Sequence, residues 1–114
     1  MHELAIAASL LERVETHAER LGASRVAAIN LVVGERAGIV DDSLRFSFDL
    51  LTAGTAAEGA RINVRWVPMR FHCGECDREY SPAGADFRCP ACNANGQLTD
   101  DGTALVIESL EIEQ

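Results

Sequence analysis

The chain has 114 residues, 47% of them hydrophobic and 25% charged, and its 18 acidic and 10 basic side chains give a formal net charge of −8. That length suits one domain, or one domain carrying a small module, and the balance is that of a globular chain. The acidity, with arginine as the sole basic type and no lysine at all, excludes phosphate-driven binding to nucleic acid and docking on an anionic membrane.

No apolar run reaches the roughly 18 residues of a membrane span, and Met1-His2-Glu3-Leu4 lacks the basic start of a signal peptide. The expected compartment is the cytoplasm. There, four cysteines point to metal ligands or redox thiols rather than a disulfide framework.

The first segment reads as a helix. Leu4, Ala7, Ala8, Leu11, Val14, Ala18 and Leu21 recur at three- and four-residue steps, and Gly22 follows as a stop. Residues 25–33 are aliphatic and β-branched and read as a strand, with Ala27, Ile29, Leu31 and Val33 as its core face. After a turn over Gly34–Gly38, Asp41 or Asp42 caps a second helix. Its apolar face is Leu44, Phe48 and Leu51, with Leu50 beside them, and Gly54 ends it. Residues 61–67 and 104–112 complete the set as strands. The expected fold is α+β: a three-stranded sheet with two helices on one face. Strand–helix–strand favours a parallel pair, and the last strand is expected antiparallel to the second. Trp66 reads as core or domain-junction packing, and His17 as an ordinary boundary residue of the first helix.

All four cysteines and all three prolines fall between residues 68 and 100. This divides the chain into an α/β domain, residues 1–67 plus 101–114, and an inserted module, residues 68–100. Cys73-Gly-Glu-Cys76 and Cys89-Pro-Ala-Cys92 are two C-x-x-C pairs with 12 residues between them. Two facing turns of this kind present four thiolates in a tetrahedron, the geometry of Zn²⁺, although four thiolates also suit iron. A closed four-sulfur site is structural by default. A segment this short, with Phe71, Tyr80 and Phe87 as its only aromatic residues, draws much of its folding free energy from the metal. His72 reads as a neighbour of the site, with replacement of a thiolate as the sharper alternative.

The amino terminus is the second chemical feature. A free α-amine titrates near about 7.7–8.0 and is a usable donor once deprotonated. Together with the His2 imidazole and the amide nitrogen between them it closes chelate rings in a plane. Planar nitrogen donors favour Ni²⁺ or Cu²⁺ over tetrahedral zinc. Glu3 in a first helical turn complements the helix dipole.

The start Met1-His2-Glu3-Leu4, the stretch Val33-Gly34-Glu35-Arg36 and the two C-x-x-C pairs together resemble the HypA/HybF family of nickel metallochaperones, over the whole length of the chain. The resemblance implies a small α/β nickel domain with a zinc-ribbon insertion. It places nickel, a transient cargo, on Met1, His2 and Glu3, with an acidic residue before the second helix: Asp41, or Asp42 as runner-up. It places structural zinc on Cys73, Cys76, Cys89 and Cys92. The implied function is delivery of Ni(II) during maturation of [NiFe]-hydrogenase, and of urease in some members. The implied partners are a nickel GTPase, the hydrogenase large-subunit precursor and urease accessory proteins. The chain has no G-x-x-x-x-G-K-[ST] loop, so nucleotide hydrolysis falls to a partner. No catalytic constellation stands out, and a non-enzyme is expected. The rival readings are a zinc-ribbon adaptor and a rubredoxin-like electron carrier. Residues 101–114 carry four acids and no arginine, which marks the tail and the cysteine module as the faces expected to meet a basic partner.

Overall fold

A computed structural model describes residues 2–114. The elements are α1 (His2–Arg20), β1 (Arg25–Gly34), α2 (Asp41–Thr52), β2 (Arg61–Val67), β3 (Arg70–Cys73), β4 (Arg78–Tyr80), β5 (Gln97–Asp100) and β6 (Leu105–Glu113). They form two three-stranded sheets, ordered β2-β1-β6 and β4-β3-β5. No helix among the described residues is long and apolar enough to cross a membrane. The chain divides into two compact units. One holds the chain up to Val32 together with Ile39–Arg65 and Val106–Gln114; the other is Val33–Gly38 with Trp66–Leu105.

In the first unit β6 pairs with β1, not with β2 as the sequence leads one to expect. The composition of the strands explains this. β1 is almost wholly apolar, with Val26, Ala28, Ile29, Leu31 and Val33 all buried, so it takes the covered middle position. β2 and β6 alternate apolar and polar residues and suit the margins, where one face meets water. Ser24 N–H donates to the Glu113 carbonyl at 2.8 Å and Asn30 Nδ2 to Ser109 Oγ at 3.0 Å, so β1 and β6 run in opposite directions. Asn63 Nδ2 to Asn30 Oδ1 at 2.8 Å and, further along, Glu35 N–H to the Val67 carbonyl at 2.8 Å mark β1 and β2 as running together. The buried side of β1 also changes phase, from Val26 and Ala28 to Ile29, Leu31 and Val33. Ala27 therefore leaves the expected core face.

The helices bury the expected stripes with some changes. α1 buries Ala7, Leu10, Leu11, Val14 and Ala18. Leu10, absent from the expected stripe, lies three residues after Ala7 and four before Val14, and so shares their face. Leu21 is 53% exposed. α2 buries Leu44, Ser47, Phe48 and Thr52, and leaves Phe46 and Leu50 exposed. Ser47 and Thr52 are tolerated inside because their hydroxyls donate to the carbonyls of Ser43 and Phe48, one turn back, at 2.8 and 2.7 Å.

The acids of the tail are not left free. Glu108, Glu111 and Glu113 pair with Arg65, Arg61 and Arg25 at 2.7, 3.2 and 3.2 Å. These are exposed pairs and individually weak, but they neutralise a run that looks purely acidic in the sequence.

In the second unit the chain passes close to its own backbone at Gly34. Gly34 N–H donates to the Ala104 carbonyl at 2.7 Å and Arg36 N–H to the Gly102 carbonyl at 2.7 Å. A Cβ on Gly34 would run into the Gly102 carbonyl, which is backbone and has nowhere to go. The Gly34→Ala protein is therefore expected to lose about 1–3 kcal/mol of stability, read from chemical denaturation at unchanged m-value. Trp66, at 36% relative exposure, is not a core residue, the first of the two packings expected for it.

Candidate metal centre

The cysteines are set by a sheet and two turns. β3 pairs antiparallel with β4 (Phe71 with Tyr80, Cys73 with Arg78) and with β5 (Phe71 with Leu98). This puts Cys73 at the end of a paired strand, followed at once by the first C-x-x-C turn. Each turn closes on a residue with left-handed backbone, Asp77 at φ 55° and Asn93 at φ 65°. Asp and Asn are the non-glycine types that adopt this conformation most readily. Their position directly after each cysteine pair was a usable signal in the sequence, and it went unread there. The second turn is held by Asn93 N–H to the Cys89 carbonyl at 2.8 Å and Cys89 N–H to the Ala94 carbonyl at 2.9 Å.

The result gathers the four sulfurs within 4.8 Å of one another. Across the two turns, Cys73 Sγ lies 3.5 Å from Cys92 Sγ, and Cys76 Sγ lies 3.6 Å from Cys89 Sγ. A tetrahedral ion with metal–sulfur bonds of about 2.3 Å needs edges of about 3.8 Å, so the donor set fits Zn²⁺ with little adjustment. All four are free thiols; Cys73 and Cys89 are buried, Cys76 and Cys92 exposed. Their protons are unevenly held. Loss of solvation and the neighbouring thiols push Cys76 up to about 12. Cys89 meets the same loss of solvation, but main-chain amides of Cys92 and Ala91 donate to it and bring it down to about 7. Cys89 thus gives up its proton far more readily than Cys76, and an incoming cation displaces the protons that remain.

Beside the sulfurs lies a small aromatic cluster. Phe71 stacks on Tyr80 at 5.6 Å and on Phe87 at 5.4 Å between ring centres, and the Tyr80 hydroxyl donates to the Phe87 carbonyl at 2.5 Å. Phe71 and Tyr80 are buried together with Cys73 and Cys89. Gly96 permits this, since a Cβ there would collide with the Tyr80 hydroxyl. His72 is not among the gathered donors. Successive strand residues point to opposite faces, so Cys73 turns inward while His72 Nε2 meets Asp77 Oδ1 at 3.2 Å.

At the other candidate site, Met1 lies outside the described residues. His2 is exposed, and its Nδ1 lies 3.2 Å from Glu3 Oε2. The same Glu3 oxygen accepts the Val40 N–H at 3.2 Å, and Ser43 Oγ lies 3.5 Å from Glu3 Oε1. Val40 is the N-cap of α2 and makes no side-chain cap bond of its own, so Glu3 reaches from α1 to take its amide. That amide hydrogen bond holds the Glu3 carboxyl below the ordinary glutamate range. Asp41 is not the cap expected from the sequence. It is the first helical residue, and its Oδ1 accepts Arg45 Nε at 3.0 Å, one turn on. Among the described residues His2, Glu3 and Asp41 are not drawn together as a ligand group; the four cysteines are. In the Glu3→Ala protein the Val40 amide should exchange with solvent several-fold faster while amides in the middle of α1 keep their protection, a contrast that NMR hydrogen exchange reads directly.

Residues 1–112 match the family model of HypA, described as hydrogenase/urease nickel incorporation, metallochaperone. The hydrogenase maturation factor HypA of Roseiflexus sp. (strain RS-1) is 40% identical over 114 residues, covering 99% of this chain and 93% of that one. Its counterpart in Caldanaerobacter subterraneus subsp. tengcongensis is 36% identical over 114 residues, covering 99% and 100%. Among solved structures, that of the Ni metallochaperone HypA from Helicobacter pylori aligns with a TM-score of 0.66 over 97% of each chain, at 21% identity, a likeness of fold. A match running almost from end to end, with relatives of the same length, places this chain in the HypA family of nickel metallochaperones.

Proposed function

We propose that this protein carries Ni(II) at its amino terminus and delivers it during maturation of [NiFe]-hydrogenase, with urease as a second recipient pathway, while Zn(II) on Cys73, Cys76, Cys89 and Cys92 holds the second unit in shape. The nickel donors in this reading are the Met1 α-amine, the His2 backbone amide nitrogen and the His2 imidazole. Glu3 and Asp41 stand as the acidic neighbours. The observation that carries the reading is the tie from Glu3 to the Val40 amide. It joins Glu3, in the first turn of α1, to the residue before Asp41 at the start of α2, which supports grouping these two acids with the amino-terminal donors.

The chemistry suits a donor. Few protein ligands at an exposed terminus exchange readily, whereas an enclosed site releases metal slowly. The two metals sort by geometry and softness, with planar nitrogens for nickel and a tetrahedron of thiolates for zinc. The protein itself has no catalytic step in this account. It works in the cytoplasm with a nickel GTPase, the hydrogenase large-subunit precursor and urease accessory proteins.

Native mass spectrometry of the untagged protein, with Ni²⁺ titrated in, tests the assignment. The expected spectrum holds one retained zinc per chain and one nickel that a mild chelator removes. Nickel that enters only by displacing zinc from the cysteines would overturn it.

A further inference from the structure

Asn95-Gly96 is the only Asn-Gly pair in the chain; the other asparagines precede Leu31, Val64 and Ala94. The pair lies between the second cysteine turn and β5, and it donates nothing to the metal centre. An asparagine followed by glycine is the setting most prone to lose its side-chain amide, because glycine has no Cβ to hinder ring closure. The glycine main-chain nitrogen attacks the asparagine Cγ, ammonia leaves, and a cyclic imide forms. Water then opens the ring to aspartate or isoaspartate. The reaction consumes water alone, with no oxidant or reductant.

In the folded unit the surroundings of Asn95 oppose this step. Asn95 is bridged antiparallel to Arg88, and the Cys89 N–H donates to the Ala94 carbonyl at 2.9 Å. A bridged residue is extended, and an extended main chain turns the next nitrogen away from the asparagine Cγ. Ring closure therefore requires Gly96 to rotate. Gly96 lies so close to the Tyr80 hydroxyl that even a Cβ would collide with it. Tyr80 in turn is fixed by its stack on Phe71 and its bond to the Phe87 carbonyl. These restraints run through Cys89, Ala94 and Tyr80, which pack in one cluster with Cys73. They lapse together when the four sulfurs no longer hold an ion. Asn95 itself is exposed, so water already has access to it.

We propose that Asn95 is a site of spontaneous deamidation gated by the metal centre: its amide persists while the four cysteines hold zinc and is lost once the second unit opens. This rests on zinc as the ion that holds that unit in shape. The product carries a carboxylate in place of a neutral amide. Its isoaspartyl form also lengthens the main chain by a methylene where the bridge to Arg88 stands. Rebinding of metal does not restore the amide, so the chain keeps a lasting mark of time spent without zinc.

The test incubates full-length protein side by side at neutral pH, zinc-loaded in one sample and stripped by a strong chelator in the other. Peptide mass mapping follows a gain of about 1 Da at Asn95, the exchange of an amide for a carboxyl group. Hydrogen exchange at Phe71 and Tyr80 reports in parallel whether the second unit is open. The stripped protein is expected to gain the mass at least about tenfold faster, because the reaction follows the population of open chain. Asn93 lies in the same segment but precedes Ala94, whose Cβ hinders ring closure, so it should lag Asn95 by at least about tenfold. Equal rates in the two samples, with protection lost in the stripped one, overturn the gate. So does a stripped protein that gains no mass at Asn95, or one in which Asn93 keeps pace. Protection that survives stripping marks instead the failure of the zinc reading itself, and the gate falls with it.

Discussion

Replacing His2 with alanine is expected to abolish tight nickel binding and leave one zinc per chain. Loss of a ligand exceeds loss of a supporting hydrogen bond, which itself costs about 10- to 100-fold in metal affinity, so a drop of more than about 100-fold is expected. The fold should survive, because the His2 side chain is exposed and the α1 residues that build the core begin at Ala7. Adding two residues ahead of Met1 should have the same effect by a different route, since it moves the α-amine away from the imidazole without altering any side chain. Isothermal titration with Ni²⁺, alongside zinc analysis of the same samples, reads both. Unchanged nickel affinity in the His2→Ala protein would sink the amino-terminal assignment. A loss of zinc together with nickel would show instead that the substitution damaged the fold.

Replacing Cys89 with alanine is expected to remove the zinc and unfold the second unit. Cys89 is 1% exposed and lies in the same buried cluster as Phe71, Cys73 and Tyr80. Structural zinc on such ligands supplies about 10–16 kcal/mol of apparent binding free energy, far more than this cluster of a few side chains contributes by burial. Without the ion, three thiols and three aromatic rings do not hold β3, β4 and β5 in register. Hydrogen exchange should then show loss of protection at Phe71 and Tyr80, while Ile29, Leu31 and Leu44 in the first unit keep theirs. A strong chelator acting on the unaltered protein should reproduce the pattern, and added zinc should reverse it. Acid favours the apo state, because thiolates must regain protons to leave the metal. A Cys89→Ala protein that keeps full zinc and an intact second unit would overturn the four-sulfur assignment.

The parts of this protein that were legible in the sequence share a property: each is local in the chain. The period of α1, the apolar run of β1, the alternation of β2 and β6, and the two C-x-x-C pairs all lie within a few turns or one loop. The Met-His-Glu start is local in the same way, since the donors proposed there are consecutive. The misread features depend on residues distant in sequence. The N-cap of α2, Val40, is held by Glu3, with 36 residues between them, and no periodicity links the two. Asp41 looked like the cap because acids before a helix usually are, but the helix begins at Asp41 itself, and its carboxylate turns to Arg45. The acidic tail looked unpaired because its arginines lie 43 to 88 residues earlier.

The amino-acid sequence by itself determined the element types, the α+β class, and the four thiols with their metal-ligand spacing. Those follow from side-chain chemistry and short-range geometry, which a linear chain states directly. Tertiary structure alone decided which strand sits in the middle, where the burial of β1 changes phase, what holds the N-cap of α2, and how the tail is neutralised. These depend on which of several compatible partners each surface meets. β1 could have met β2 and β6 in either order by pattern alone, and its greater apolar content settled the order only once both neighbours competed to cover it.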